Sequence, residues 1–310
     1  MQVFYGHSGI PAKARGCVAV IGNFDGVHLG HLALFQRARE MARAKGAPFA
    51  VLTFEPHPRE FFASKGEPFR LMTAGQRQRA LEAAGVDILF CLAFDQAMAA
   101  LSADDFIDRV LIKGLGLSGV VVGENFAFGK GRSGSVDTLQ RHRGFEVLIV
   151  PAVNAPDGAP YASSRIRGLL KNGDIQGAEA LLGHPWELEG IVIHGDKRGR
   201  ELGFPTANQS LGAYAQPLFG IYAVRVQIND AKAPLLSGVS SLGIRPMFRM
   251  AEPLLETHIF DFNDNIYGNI LRVQPVKFLR PEAKYETLDA LKAQIRQDCL
   301  EARAVLKSAP

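Results

Sequence analysis

Short apolar runs alternate with helix-like segments through the first half of the chain, and this alternation constrains the fold more than any other feature. Between the first two runs, apolar residues from Leu32 to Ala42 recur at helical spacing. The runs themselves contain Val, Ile, Leu and Phe with few polar interruptions, and they lie at 17–21, 49–54, 86–94, 120–122 and 145–150. Such runs are typical of strands covered on both faces. Strands separated by helices predict an α/β fold with a doubly wound parallel sheet.

The second half follows a different pattern, which begins near residue 184. From there to residue 280 the apolar runs often alternate with polar residues, and turn-forming pairs such as Asn229-Asp230 separate them. Several short strands in about a hundred residues predict an antiparallel β-barrel. An apolar face from Leu288 to Leu306 predicts a closing C-terminal helix. A chain of 310 residues favours two domains, and we expect them at 1–183 and 184–310.

The charge balance and the short apolar runs exclude several classes of protein. The chain has 35 basic and 31 acidic residues, a net charge of +4 that is too small and scattered to indicate nucleic-acid binding, although it suits anionic nucleotides. No apolar run approaches the roughly 18 residues that cross a bilayer. The N-terminus lacks the apolar stretch of a secretion signal, and the three cysteines lack metal-binding spacing. We expect a cytoplasmic protein with small-molecule substrates, without a membrane or nucleic-acid partner; the pattern defines no oligomeric state.

One segment joins the first predicted strand to the first predicted helix, and it reads Gly22-Asn23-Phe24-Asp25-Gly26-Val27-His28-Leu29-Gly30-His31. At the carboxyl end of a parallel sheet, phosphates bind against a helix N-terminus. His28 and His31 are three residues apart and share one face of the first turn, and Gly30 leaves space for a substrate. Two imidazoles there can donate hydrogen bonds to a phosphate that gains charge during nucleotidyl transfer. The alternatives are a surface pair or two metal ligands, for which no third ligand is recognisable.

A second candidate site lies in the predicted barrel. In an extended segment, Thr206 and Asn208 point to the same face, and their hydroxyl and amide oxygens suit a Mg²⁺ ion coordinated mainly by phosphates and water. A basic loop precedes them, and its candidate phosphate-binding residues are Gly195, Lys197, Gly199 and Arg200. That loop either covers the phosphates of a nucleotide or is a simple hairpin turn.

A third candidate is an anion site where a Pro- and Gly-rich loop turns into a helix. Ser163, Ser164 and Arg165 offer hydroxyls, exposed N–H groups and a guanidinium, which together can hold a triphosphate. Taken alone, an N-cap with a solvated Arg is the more common explanation. The His28/His31 turn makes the triphosphate site the favoured interpretation.

Read together, these motifs resemble the bifunctional bacterial riboflavin kinase/FAD synthetase family. The resemblance spans nearly the whole chain and begins with the HxGH motif of nucleotidylyltransferases at 28–31. The other matching segments are TFEPHP at 53–58, VGENFAFG at 122–129, SSRIR at 163–167, GRELGFPTAN at 199–208, GIRP at 243–246 and ETHIFDF at 256–262.

The resemblance implies two sequential reactions. The barrel would phosphorylate riboflavin with ATP and Mg²⁺ to give FMN, and the first domain would transfer AMP from a second ATP to FMN, giving FAD and pyrophosphate. His28 and His31 would stabilise charge on the phosphates, Thr206 and Asn208 would hold Mg²⁺, and Glu256 would be the general base. Nucleotide binding would fall to Gly22, Asn23, Phe24, Asp25, Gly26, Asn125, Ser163, Ser164, Arg165, Gly195, Lys197, Gly199 and Arg200.

The roles of His57 and of three nearby phenylalanines stay open. His57 lies between two prolines and is either a substrate-loop residue or a turn residue. Phe54, Phe61 and Phe62 could pack a flavin ring, although phenylalanine is more often part of a core.

The sequence departs from the family pattern at five positions, namely Asn125, Ala127, Ser135, Ser241 and Met247. Ala127 and Ser135 keep one alternative open, a riboflavin kinase whose first domain binds nucleotide without adenylylating, although the intact His28 and His31 argue against it. An RNA-binding protein that reuses an HxGH fold would need a lysine-rich KMSKS-like motif and a helical appendage, and the sequence has neither.

Overall fold

The chain divides into two units, and neither is continuous in sequence. The computed structural model describes residues 1–63, 67–195, 198–230, 232–244 and 253–308. The first unit comprises Met1–Gly66 and Ala74–Ala162, and the second comprises Glu67–Thr73 and Ser163–Pro310. The boundary between residues 183 and 184 stays a prediction about sequence domains.

A six-stranded parallel sheet forms the centre of the first unit, as the apolar runs predict. Its strands are β1 (Gln2–Phe4), β2 (Val18–Ile21), β3 (Phe49–Glu55), β4 (Ile88–Ala93), β5 (Gly119–Gly123) and β6 (Glu146–Val150). Their order is β1-β4-β3-β2-β5-β6, and every pairing is parallel. The chain runs outward from β2 to β3 and then returns to place β5 on the other side. Ligands bind at such a reversal, just beyond the carboxyl ends of the strands.

Helices cover both faces of this sheet. They are α1 (Leu29–Ala44), α2 (Pro58–Phe62), α3 (Ala74–Ala83), α4 (Gln96–Ala100), α5 (Ala103–Asp105), which continues as a π-helical segment (Phe106–Leu115), and α6 (Val136–Arg141). Helix α1 lies on β2 and β5. Ile107, Val110 and Leu111 of the π-helical segment are fully buried among core side chains that include Leu52 and Phe90. The double cover explains why the strands carry little polar alternation.

An antiparallel, nearly closed barrel forms the second unit. Two helices precede it, α7 (Ser163–Lys171) and α8 (Ile175–Leu182). The barrel elements are β7 (Leu188–Ile191), α9 (Arg198–Leu202), β8 (Ala207–Ser210), β9 (Gly220–Ile228), β10 (Leu236–Ile244), β11 (Pro253–Ile259) and β12 (Ile270–Arg280). The sheet order is β7-β12-β9-β10-β11-β8, and a bridge between Ile193 and Asn208 draws its two ends together. The predicted barrel is therefore confirmed.

The predicted closing helix, α10 (Leu288–Ser308), packs on β9, β10 and β12. Ala302 and Leu306 are buried, whereas Leu288 at the other end is 67% exposed. The guanidinium of Arg280 donates two hydrogen bonds, of 2.7 and 2.6 Å, to the carboxylate of Asp298 and so fastens the helix to β12. Among the described helices, none combines the length and apolar character that crossing a bilayer requires.

The segment Glu67–Thr73 belongs to the second unit although both of its flanks belong to the first. The N–H groups of Phe69 and Arg70 donate to the carbonyl of Ala213, and the carbonyl of Arg70 accepts from Ala215. The indole N–H of Trp186, which is 1% exposed, donates to the carbonyl of Leu71 at 3.0 Å. The segment thus adds backbone pairing to the barrel unit and covers its single tryptophan.

We expect a fragment of residues 163–310 to be less stable than the same unit in the full chain. It lacks three backbone hydrogen bonds and the indole contact, each worth about 1 kcal/mol. The emission of Trp186 should shift to longer wavelength, and its urea midpoint should fall. Tryptophan fluorescence on both proteins tests this, and coincident spectra and midpoints would mean that Glu67–Thr73 adds nothing.

Candidate active sites

A tight turn joins β2 to α1, and its backbone is unusual. Phe24 and Val27 adopt positive φ angles of 51° and 39°, in the left-handed region that side chains disfavour, and Gly26 has a φ of 90°. Both Phe24 and Val27 are 2% exposed, so burial stabilises the conformation that their backbones resist. A Cβ atom at Gly22 would lie 2.8 Å from the Phe24 ring, so only glycine fits there.

The two histidines at the start of α1 stack on each other. Nδ1 of His28 accepts a hydrogen bond from the N–H of His31 at 3.4 Å and thereby caps the helix. The ring centroids are 3.6 Å apart with an interplanar angle of 19°. A Cβ at Gly30 would lie 2.8 Å from Cβ of Tyr161 and 3.2 Å from the His28 ring. The expectation that Gly30 leaves space for a substrate is therefore wrong, because Tyr161 and His28 fill that space.

The buried environment of the His31 ring changes its protonation. Its Nδ1 is buried and has no hydrogen-bond partner among the residues that the structure describes. Burial holds the pKa of His31 well below its usual value, and repulsion from His28 adds to the effect. The ring is therefore neutral at pH 7. A buried polar atom without a partner is costly, so it marks a place where a ligand can supply the missing hydrogen bond.

The predicted nucleotide-binding residues of the first unit lie at the reversal in strand order. Asn23 has an exposed side chain, while its carbonyl accepts from Thr53 Oγ1 at 3.3 Å and from Arg77 Nη1 at 3.1 Å. Asp25 and Gly26 are buried in the same turn, and Asn125 is exposed just beyond β5. The turns after β2 and β5 thus flank the point where the strand order reverses.

The loop after β3 presents one histidine and several aromatic rings. Nδ1 of His57 accepts from the N–H of Arg59 at 3.0 Å, so His57 caps α2 and has at least the turn role. Phe54, Phe61 and Phe62 each contact Phe94, with ring centroids 5.4–5.7 Å apart. Phe62 is 68% exposed and is not a core residue.

Ser163, Ser164 and Arg165 form the first turn of α7 and belong to the second unit. Ser164 is exposed, and the other two are half-buried. Their role at the triphosphate of the first unit stays a prediction. Ser135, one of the departures from the family pattern, stands at the start of α6, where its N–H donates to Thr138 Oγ1 at 3.2 Å.

A cavity of about 360 Å³ opens in the barrel and brings the predicted kinase residues together. Glu256 of β11 pairs in register with Asn208 of β8 and with Ser241 of β10. Thr206, immediately before β8, lies on the same cavity, and Glu256 is half-buried. The first half of the apolar face of α10, represented by Leu291 and Ile295, lines this cavity. The cavity lining therefore combines apolar side chains of α10 with a hydroxyl, an amide and a carboxylate, and it also includes the charged side chains of Arg280, Glu282 and Asp298.

The glycines of the preceding loop are required by close contact. A Cβ at Gly195 would lie 2.6 Å from Nδ2 of Asn208. At Gly199 it would lie 2.5 Å from the carbonyl of Phe204 and 3.2 Å from Thr206 Oγ1. The loop backbone therefore lies directly against Thr206 and Asn208. Lys197 and Met247 lie outside the described residues.

A second cavity, of about 430 Å³, adjoins the first and was not expected from the sequence. Thr206 lines both cavities, and Arg200 lines the second. Residues 262–267 form one part of its lining. The polar run Asn263-Asp264-Asn265 is the signal that could have identified it. Nδ1 of His258 donates to the carbonyl of Pro205 at 2.8 Å and steadies the segment that carries Thr206.

The oxygen donors at this junction fit Mg²⁺ that binds with a nucleotide. Among the described residues there is no group of three or more His, Cys, Asp or Glu side chains that could hold a metal ion alone. Thr206 and Asn208 supply neutral oxygens, and hard neutral donors suit an ion that takes most of its ligands from phosphates and water.

Comparison with known proteins finds relatives over nearly the whole chain. Residues 10–165 match a family model described as FAD synthetase, and residues 182–306 match one described as riboflavin kinase. Proteins named bifunctional riboflavin kinase/FMN adenylyltransferase are 42% identical in Pseudomonas fluorescens, over 98% of each chain, and 36% identical in Bacillus subtilis, over 97% of this chain and 96% of that one. A solved structure described as a macrolide-efflux protein from Streptococcus pneumoniae is 31% identical, with a TM-score of 0.85 over 99% of each chain.

We expect His31 to make the first unit sensitive to acid. Below its ordinary pKa of 6.5, the unfolded chain protonates this ring while the folded chain does not. The free energy of unfolding then falls as pH drops, by up to about 1.4 kcal/mol per pH unit from this group. His31→Asn should lose less stability than the wild type between pH 6.5 and 5.

Urea unfolding followed by circular dichroism tests this, with Trp186 fluorescence marking the second unit. His142→Asn is the matched control, because that ring is partly exposed and paired with Asp104. Parallel pH profiles for wild type and His31→Asn would contradict the expectation.

Proposed function

The chain belongs to the bifunctional riboflavin kinase/FMN adenylyltransferase family, and on that basis we propose how its residues carry the two reactions. It phosphorylates riboflavin with ATP to FMN and adenylylates FMN with a second ATP to FAD and pyrophosphate. The presence of both family domains favours this over a kinase that has lost adenylylation. Incubation with riboflavin, ATP and Mg²⁺, followed by chromatography for FMN, FAD and pyrophosphate, tests the whole sequence.

The stacked pair of His28 and His31 carries the proposal for adenylylation. A phosphate oxygen of FMN attacks the α-phosphorus of ATP, and the bond from that phosphorus to the pyrophosphate oxygen breaks. Negative charge grows on the departing pyrophosphate, where the two imidazoles at a helix N-terminus can donate hydrogen bonds. The buried, unpartnered Nδ1 of His31 supports this role, since a bound phosphate would satisfy it.

The nucleotide of this reaction is held, in our proposal, by the turn after β2 and by two further segments. Residues Gly22 to Gly26 include the exposed side chain of Asn23. Asn125 stands beyond the neighbouring strand β5, on the other side of the reversal in strand order. Ser163, Ser164 and Arg165 are assigned to the triphosphate on the family resemblance.

For the kinase, we assign riboflavin to the first barrel cavity and the adenosine of ATP to the second. The apolar wall of Leu291 and Ile295 suits a flavin ring, and the amide- and hydroxyl-rich second cavity suits a nucleoside. Thr206 lines both cavities, so the phosphates of ATP would extend from the second cavity towards the riboflavin in the first. Gly195 and Gly199, with Arg200 and Lys197, would cover those phosphates.

Thr206 and Asn208 would hold Mg²⁺, which when bound neutralises the charge of the phosphates. Glu256, paired in register with Asn208, accepts the proton of the ribityl 5′-hydroxyl. The hydroxyl oxygen then bonds to the γ-phosphorus as the bond to the ADP oxygen breaks. Both reactions consume ATP, and we propose that the enzyme acts in the cytoplasm.

Loss of either histidine should affect one reaction only. We expect His28→Ala and His31→Ala each to lower FAD formation from FMN by about 10²–10³-fold, the usual cost of one preorganised donor. FMN formation should stay near normal, because it uses the second unit. His142→Ala should leave both unchanged. Parallel loss of both activities would identify a folding defect instead.

Glu256→Gln should lower FMN formation by about 10²–10⁴-fold, because glutamine keeps the volume but cannot take the proton. FAD formation from supplied FMN should persist. Added Mg²⁺ should partly restore the variant Asn208→Ala but not Glu256→Gln, and steady-state assays over a Mg²⁺ series separate the two. Near-wild-type FMN formation by Glu256→Gln would reject the general-base role.

A further inference from the structure

A buried arginine on α3 lies beneath the adenylylation site, and neither its sequence context nor the family motifs had singled it out. Arg77 is 4% exposed. Its Nη1 donates to the carbonyl of Asn23 at 3.1 Å, and its Nη2 donates to the carbonyl of Phe54 at 3.2 Å and to Oε2 of Glu55 at 2.8 Å. A charged group this deeply buried needs such partners to be tolerated.

The acceptors of Arg77 belong to two different segments, each of which leads into a loop of the site. Asn23 is in the turn that leads to His28, and Phe54 and Glu55 end β3 just before His57. A guanidinium is rigid and planar, so donating from both terminal nitrogens fixes the spacing of the two loops. Arg77 therefore sets how far the His28/His31 turn lies from the loop that carries His57.

A second donor supports the same anchor. Thr53 is fully buried, and its Oγ1 donates to the carbonyl of Asn23 at 3.3 Å. The backbone of Asn23 is thus held from inside the unit by two side chains, while its own side chain is exposed. Both carbonyl acceptors of Arg77 lie where a segment enters a loop of the site, so its hydrogen bonds hold the backbone of the site itself.

Arg77 also offsets the negative charge of Glu55. The side chain of Glu55 is 34% exposed and stands at the end of β3, where our assignment brings anionic nucleotides. The ion pair with Arg77 offsets the repulsion that an isolated carboxylate would exert on them.

We propose that Arg77 is a positioning residue for adenylyl transfer, which locks the carbonyl of Asn23 to the end of β3 and so sets the geometry of the His28/His31 turn. The inference rests on the proposed adenylylation function. Displacing a catalytic group by about 1 Å can cost about 10²-fold in rate, so a buried anchor can act on catalysis without touching substrate.

The first test replaces the planar guanidinium of Arg77 and keeps its positive charge. Arg77→Lys cannot span two loops with one compact ammonium group. We expect kcat for FAD formation from FMN to fall about 10²-fold, KM for ATP to change less than about fivefold, and FMN formation to stay within twofold. The matched control is Arg79→Lys, an exposed arginine on the same helix, which should match the wild type in all three measurements.

The second test separates positioning from stability. Thr53→Val removes the other donor to Asn23 with little change in volume. If both side chains fix the same carbonyl, their effects on kcat will be coupled, so the double variant Thr53→Val/Arg77→Lys will differ from the product of the two single effects. Thermal melts of all variants, followed by circular dichroism, give the folded fraction under assay conditions.

Three outcomes would overturn the inference. They are a wild-type kcat for folded Arg77→Lys, a loss explained by the unfolded fraction alone, and a parallel loss of FMN formation. If the wild type itself made FMN but no FAD, the adenylylation function would fail, and the inference with it. If the wild type forms FAD and Arg77→Lys forms it equally fast, the role of Arg77 is rejected and the adenylylation function stands.

Discussion

The burial of Phe24 and Val27 is the constraint on which the first site depends. Left-handed backbone at non-glycine residues costs about 1–3 kcal/mol each, and burying such side chains returns a similar amount. Phe24 also packs its ring against Phe35 and His31, at centroid distances of 5.1 and 5.2 Å. The same packing that holds the turn therefore holds the histidine pair, so the direction of α1 and the position of its first polar groups are set together.

In the barrel, different interactions fix the positions of the polar groups of the site. Cross-strand register places Glu256 beside Asn208, and close backbone contact at Gly195 and Gly199 removes the space that a side chain would need. Both devices hold Asn208 and Glu256 at a cavity that the apolar side chains of Leu291 and Ile295 also line. The first site is thus organised by a strained turn, and the second by sheet register and by glycines that allow close backbone contact.

Local patterns predicted the parallel sheet, the barrel, the closing helix and the pairing of His28 with His31 on one face. Two of the misses are contacts between residues distant in sequence. The role of Gly30 depends on Tyr161, and that of Arg77 depends on acceptors more than twenty residues away. The edge strand Gln2–Phe4 is too short for a periodic signal. Periodicity reports which face is buried, but it does not report which partner fills it.

The assignment of Glu67–Thr73 to the second unit changes what connects the two halves. The chain passes from one unit to the other at residues 66/67, 73/74 and 162/163, so three covalent crossings join them. A protease that cuts only at 162/163 would leave the halves tethered through the two earlier crossings. During synthesis, residues 67–73 emerge long before Trp186 and residues 213–215, with which they form hydrogen bonds, so the second unit is complete only when these later residues have joined the early segment.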